Sequence, residues 1–500
     1  GDAHHVATLH PWPTCVTSDG RPSPPTDKRV RDRTIPRTCG MVAPLAAGDD
    51  RAMVARKTST PFEIVFPHDA EWDGARQVFN LALDLRPAAI ALPRNSSEVV
   101  AAVEFARDQG LRVAPQAAGH NADAYGDLAD SLLVDLRHLR GVAIDTRAQR
   151  VRVEGGVKWE QVIPPLSDHG LAAVHGSSPD VGVAGYSLGG GLGWLSRKYG
   201  LQASNVTAID VVTADGQLRR VDHARDPDLF WALRGGNGNY GIVTALEFRV
   251  HAVEELYAGA LFFEFARARE VLEAWLGLAP GLPDRCTTWC SLFQFPDLPF
   301  VPEPVRGRSF AVVLGAFLGD EQQGRELLRP LRGLGPVMDT FAMGPPAVLG
   351  ELAMDPPVPL PLAHTSALLD SIPIDDLLAV TGPGADSPLV VVELRQLGGA
   401  VGRYADAAGA CAALPGNYIL LALGVPADVA SAAAIDRCLR AIDNAVADYA
   451  LDRRYGNFVG HPTDASAFWD TATWARLRAV KAVYDPDELF RGNHYIPPAT

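Results

Sequence analysis

The sequence predicts an α+β protein, and three observations carry that prediction. Strand and helix signals alternate in short units from residue 88 to 250, longer strand candidates separated by helices and Pro-rich loops occupy 251–440, and residues 441–500 return to short motifs. Five hundred residues at 47% hydrophobic content fill roughly two or three packed domains. The chain accordingly divides into an extension (1–59), a first domain (60–250), a second domain (251–440) and a closing segment (441–500) expected to pack back on the first.

Residues 1–59 are rich in Pro, Thr, Arg and Asp without a sustained hydrophobic period, which predicts a mobile extension; His4 and His5 read as incidental, and no apolar run there marks a secretory signal. A strand is expected over 88–92. Asn95 followed by Glu98 is a capping box, Val99, Val103 and Ala106 recur at helical spacing, and Gly110 ends the helix near 109. Further strands are expected over 111–114, 132–135, 142–145, 151–154, 208–213 and 242–250, with Ala214, Asp215 and Gly216 as a hairpin corner. In the second domain the clearest strands are 310–314 and 389–394.

Composition removes several function classes. With 45 Lys and Arg against 59 Asp and Glu, the net charge of −14 repels a phosphate backbone, so no nucleic-acid partner is expected. No run approaches the roughly 18 apolar residues of a membrane span. The expectation is a cytoplasmic monomer or homodimer without a membrane partner, with export left open. Six cysteines are too few for a disulfide scaffold: Cys286 and Cys290 read as packing residues without a second pair to complete a metal site, and Cys15 and Cys39 pair only if the protein is exported.

Three glycine motifs bear on chemistry. Gly236 to Gly241 spells G-x-G-x-x-G, but a helix is expected before it (228–233) and a strand after it, the reverse of a nicotinamide-dinucleotide fingerprint. Gly185 to Gly189 spells the G-x-S-x-G elbow of a serine hydrolase, with Ser187 as nucleophile and His461 as a partner. Against that rival, Gly189, Gly190, Gly191 and Gly193 each cost a following helix roughly 1 kcal/mol and predict a loop. Such a loop lets backbone N–H groups approach a pyrophosphate closely without Lys or Arg.

Residues 87–250 resemble the FAD-binding domain of vanillyl-alcohol-oxidase-type (PCMH-type) flavoproteins, in the berberine-bridge-like branch. Pro115 to His120 (PQAAGH), Leu188 to Leu201 (LGGGLGWLSRKYGL) and Asp228 to Val243 (DLFWALRGGNGNYGIV) carry the likeness. Tyr455 to Phe458 and residues 481–498 resemble the family's closing berberine-bridge segment, so the resemblance covers about residues 60 to 498. Two departures stand out: Gln116, Ala117 and Ala118 replace the usual Arg and Gly, and Ser178 stands where many members carry a second flavin-bonding Cys.

The resemblance implies a two-lobed FAD-binding domain, a substrate domain of antiparallel sheet covered by helices, and a flavin-dependent oxidase. It implies hydride transfer from a small-molecule substrate to FAD, with oxygen as acceptor giving hydrogen peroxide, and a single covalent 8α-histidyl attachment through His120. The apolar second domain and acidic charge point to a bulky natural product of secondary metabolism, such as an antibiotic-pathway polyketide or glycopeptide or an alkaloid, or to a sugar. Cofactor contacts carried over are Ala117, Ala118, Gly119, Asn121, Gly176, Val181, Gly182, Gly185, Gly189, Gly190, Gly191, Gly193, Ile242, Val243 and Asn493. Glu393, a carboxylate in a mostly apolar strand, is the first candidate base, because many relatives use a Tyr where this chain has Phe458; Tyr455, Tyr240 and Asp180 are secondary candidates.

Overall fold

The computed structural model describes residues 60–500 other than 300, 357 and 404–407. The extension, with His4, His5, Cys15 and Cys39, lies outside the described residues. Three sheets carry the architecture. The first is β1 (Glu63–Val65), β2 (Ala89–Leu92), β4 (Ser131–Asp135) and β3 (Arg112–Gln116) in that spatial order, with β2, β4 and β3 parallel. Helix Ser96–Asp108 packs Val99, Ala102, Val103 and Ala106 on this sheet. Half of the expected capping box forms: Asn95 Oδ1 accepts from the Glu98 N–H at 3.0 Å, but the Glu98 carboxylate accepts from the Arg94 N–H at 2.8 Å, one residue before the N-cap, instead of from the Asn95 N–H.

The second sheet is antiparallel, in the order β5 (Val142–Asp145), β6 (Arg150–Glu154), β10 (Ile242–Arg249), β8 (Val206–Val212) and β9 (Leu218–Val221). The corner between β8 and β9 contains Gly216 at φ +77°, as the hairpin signal requires. A small ladder joins β7 (Leu171–Ala172) to β11 (His251–Ala252).

The third sheet has eight strands: β12 (Leu256–Glu264), β13 (Cys286–Gln294), β14 (Ser309–Phe317), β15 (Met338–Asp339), β16 (Ala342–Gly344), β17 (Ala363–Leu369), β18 (Val391–Gln396) and β19 (Tyr418–Gly424). Its order is β15-β12-β14-β13-β18-β19-β17, with β16 also on β12 and every pairing antiparallel. Only β14 and β18 are legible in the sequence. β12 and β13 read LYAGALFFE and CTTWCSLFQ and are buried along nearly their whole length, so period-2 alternation, the usual strand signal, is missing.

Helices Ala268–Leu278, Ile374–Thr381 and Val429–Val446 cover one face of this sheet, where Val392 and Leu394 of β18 and the free thiols Cys286 and Cys290 join the core. The opposite face packs Trp289, Phe293 and Phe310 against Trp194 and Leu195. Strand alternation therefore points Glu393 and Arg395 toward the first two sheets.

The closing segment returns to the first sheet. Val113 of the edge strand β3 donates to Leu489 O at 2.8 Å and accepts from the Arg491 N–H at 2.9 Å. Lys481, fully buried, donates to Asn239 O at 2.6 Å and Phe490 O at 3.0 Å and pairs with Asp485. A buried charge so fully partnered fixes the segment in one place, because removing either partner strands the other charge away from water. Among the described residues no helix is long and apolar enough to cross a membrane, and no group of His, Cys, Asp or Glu could hold a metal ion.

Candidate active site

A cleft opens where β3 and β4 end, the place where parallel strands leave backbone groups unpaired. It is lined by residues 115–122, by segments of 176–188, by Asn237, Gly238, Gly241, Val243, Asn457, Phe458 and Asn493, and by Arg395 from the eight-stranded sheet. Among the described residues no Asp, Glu or Lys lines it, and Arg395 is its one guanidinium. A large anionic ligand must then be held by backbone N–H groups and amide side chains. Gly182 shows why that wall carries little side-chain bulk: a Cβ there would lie 3.1 Å from Ala117 Cβ and 3.2 Å from Ala118 N. Gln116 Oε1 and the Tyr186 hydroxyl, both buried against the cleft without a protein partner, are polar atoms that such a ligand can satisfy. The residues present thus fit a dinucleotide cofactor.

His120 stands at the turn out of β3. Gly119 before it has φ +74°, and a Cβ there would come within 2.9 Å of Val78, so only glycine makes the turn. The imidazole stacks on Phe79, with ring centroids 3.9 Å apart and planes inclined by 20°. Its Nε2 is 2.9 Å from Asp180 Oδ2, and Ser178 Oγ donates to Asp180 Oδ1 at 2.6 Å. Burial pushes the Asp180 carboxyl up, but the His120 hydrogen bond and charge and the Ser178 hydroxyl outweigh it and hold the group below the usual carboxylate range.

The facing side is reached from β18 through Arg395, and the register of β18 with β13 sets Trp289 beside Arg395 and Ser291 beside Glu393. The Arg395 guanidinium lies over the rings of Trp289, 3.8 Å from its centroid, and Phe458, at 4.9 Å. It forms a buried ion pair with Glu393, and its Nη2 reaches Ser177 Oγ at 3.4 Å. Burial raises the Glu393 carboxyl above its ordinary value, Arg395 opposes the shift, and Asp355 adds to it. Asp355 is itself raised, by burial first, against a Ser177 hydrogen bond and the Arg395 charge. Glu393 is 5% exposed and ion-paired with Arg395, the member of the pair that lines the cleft. Sequence reasoning missed Arg395 and Asp355. The i, i+2 spacing of Arg395 from Glu393 was an available signal; the loop position of Asp355 offered none.

Of the carried-over cofactor residues, Ala117, Ala118, Gly119, His120, Asn121, Gly176, Val181, Gly182, Gly185, Val243 and Asn493 line the cleft. Gly189, Gly190, Gly191, Gly193 and Ile242 do not. A Cβ on Gly190 would meet Cys411 Sγ at 2.9 Å, one on Gly191 would meet Gln202 Cβ at 2.6 Å, Gly189 and Gly193 crowd Asn457 and the His175 carbonyl, and Ile242 is fully buried in the first sheet's core. Those glycines admit protein neighbours.

The secondary candidates divide. Asp180 is at the cleft through His120. The Tyr455 hydroxyl instead accepts from the Gly191 and Leu192 N–H groups, at 3.0 and 2.9 Å, and from Asn457 Nδ2 at 3.1 Å. Tyr240 donates to Leu477 O at 3.1 Å. Both phenols are buried outside the cleft, and burial holds them above their ordinary value.

The elbow reading finds no support. The chain after Ser187 runs as the expected loop over residues 189–193, and Ser187 itself is buried inside helix Val183–Leu188, donating to Val183 O at 2.7 Å. A nucleophile must be presented at a turn, and this hydroxyl is spent on its own helix. The G-x-G-x-x-G run lies between helix Pro227–Leu233 and β10, with Asn237–Asn239 a 3₁₀ turn, as its context predicts.

Residues 87–222 match the family described as an FAD binding domain. The chain is 31% identical to (R)-6-hydroxynicotine oxidase of Paenarthrobacter nicotinovorans, over 58% of this chain and 63% of that protein. An FAD-linked oxidoreductase of Bacillus subtilis is 25% identical over 88% of this chain and 98% of its own. Glucooligosaccharide oxidase of Sarocladium strictum is 35% identical over 37% and 38%. Among solved structures, 6-hydroxy-D-nicotine oxidase of Arthrobacter nicotinovorans superposes with a TM-score of 0.77 at 25% identity, covering 88% of this chain and 99% of that one. BBE-like 1 of Physcomitrella patens, in its wild-type form, shares the fold, with a TM-score of 0.76 at 20% identity over 91% and 100%.

Proposed function

We propose that this chain, an FAD-dependent oxidoreductase with the berberine-bridge-like fold, oxidises a bulky natural-product or sugar-type substrate. In this reading FAD is bound covalently at His120, and dioxygen accepts the electrons as hydrogen peroxide. The observation that carries it is the pairing of walls: a side-chain-poor wall ending in His120 faces a sheet that presents Arg395, which is stacked on Trp289 and ion-paired with the buried Glu393. Oxidases of a nicotine derivative and of an oligosaccharide among the relatives support the class of reaction.

FAD supplies the two-electron chemistry when bound. Everything else falls to this chain. The backbone at 117–119 and 182–185, with Asn121 and Asn493, holds the cofactor's polar groups; Phe458 keeps water from the sheet side. Glu393 takes the substrate's proton, its affinity for one raised by burial, and Arg395 positions the carboxylate. Because the Glu393 pKa is raised, the base is present above that value and is lost as pH falls through it. Nothing in the site supports a Ser187 hydrolase.

The test uses purified holoprotein. Acid-precipitated protein should remain yellow, and oxygen uptake with stoichiometric peroxide should appear with at least one member of a panel of oligosaccharides, hydroxylated aromatics and N-alkyl amines. A colourless protein with esterase activity would overturn the reading.

A further inference from the structure

We infer that Asp180 activates His120 for its bond to the flavin, an inference that rests on the tethered-FAD reading above. The geometry is that of an imidazole held by a carboxylate. Asp180 Oδ2 is 2.9 Å from Nε2, and its other oxygen is fixed by Ser178 Oγ at 2.6 Å. Phe79 sets the plane of the ring from one side, and the left-handed turn at Gly119 fixes the backbone that carries it. An ionised carboxylate only accepts, so Nε2 bears the ring proton and the lone pair belongs to Nδ1. The same logic lets a buried Asp hold a catalytic His in one tautomer and stabilise the imidazolium it becomes.

The step balances as follows. The Nδ1 lone pair forms a bond to the 8α methyl carbon, and one C–H bond of that methyl breaks with loss of its proton. Asp180 receives the Nε2 proton and passes it to solvent. The electron pair of the broken C–H bond is accepted by the flavin and finally by dioxygen, which leaves as hydrogen peroxide. Asp180 suits this work because it stays ionised below the usual carboxylate range, with the Lys158 charge assisting. It acts through His120 and is a positioning residue. Ser178, in the position where a second bonding residue would stand, instead aligns the carboxylate for the first bond.

The experiment measures covalent incorporation, not turnover. Apoprotein from riboflavin-limited cells is mixed with FAD in air, and acid-insoluble flavin is followed with time, alongside non-covalent FAD binding by fluorescence quenching. Asp180→Asn should slow incorporation by about 100-fold or more while non-covalent binding is retained. Asp180→Glu should recover part of the rate, and Asp180→Ala should be accelerated by added formate, which a purely structural role would not produce. Ser178→Ala should slow incorporation several-fold and serves if the Asp180 variants fold poorly. Equal rates in wild type and both Asp180→Asn and Ser178→Ala, or losses that formate and Asp180→Glu leave untouched, overturn the inference. Wild type that never acquires acid-stable flavin overturns the tethered-FAD reading and this inference with it.

Discussion

The wall built from residues 116–121 and 176–185 meets a ligand largely with backbone, whereas the eight-stranded sheet meets it with a side chain, Arg395 of β18 stacked on Trp289 of β13. On the first wall, function sits in residues adjacent in sequence: Gly119 shapes the turn, His120 stands on it, and Gly182 leaves room beside Ala117 and Ala118. On the second wall, function comes from residues one strand apart, Trp289 beside Arg395 and Ser291 beside Glu393, more than a hundred positions apart in the chain. A backbone wall suits a cofactor of constant shape. A side-chain wall can change with the substrate while the sheet stays the same, because outward-facing positions on a strand can be replaced without touching the core on its other face.

The contrast is broken most completely at His120. His120→Ala should abolish acid-stable flavin, and mass spectrometry of wild-type peptides should find flavin on the His120 peptide and none on the peptide containing Ser178. Flavin mass on the Ser178 peptide would mean that the backbone wall bonds the cofactor twice.

On the side-chain wall, Glu393→Gln should slow anaerobic flavin reduction by about 100-fold to 10,000-fold while changing substrate binding little. It should also remove an acid limb that, in wild type, lies above the ordinary carboxylate range because burial raises Glu393. If stopped-flow reduction is unchanged, Asp355, the other raised carboxyl beside Arg395, is the group to substitute next.

The closing segment sharpens the comparison by loading stability onto the backbone wall. Lys481→Met strands Asp485 in a fully buried site and should cost about 3–5 kcal/mol in denaturant unfolding. Smallest of all is Ser187→Ala, which removes one helix-internal hydrogen bond. It should cost about 1 kcal/mol and leave oxidation intact.

Legibility followed the same division. The helix that ends at Gly110 and the hairpin at Gly216 were readable because caps and turns are made by residues close in sequence. The His120 turn was readable for the same reason, through its likeness to a family's local block. The Gly189–Gly193 run misled because a missing Cβ is the same signal whether the visitor is a phosphate or Asn457, Cys411 and Gln202. Tyr455 and Tyr240 misled because residue type says nothing about whether a hydroxyl is already engaged, and both are.

What the residues alone settled, then, is the α+β class and the elements with local punctuation; His120 was singled out through the family resemblance of its glycine turn. Only the tertiary structure decided that β12 and β13 are strands paired on both sides, that Arg395 of the Glu393 ion pair lines the cleft, and that Asp180 reaches back sixty residues to His120. The physical reason is range. Turn geometry and helix caps are set by atoms a few bonds apart, whereas strand register, burial and the shift of a carboxyl's pKa depend on which distant segments the whole chain brings together.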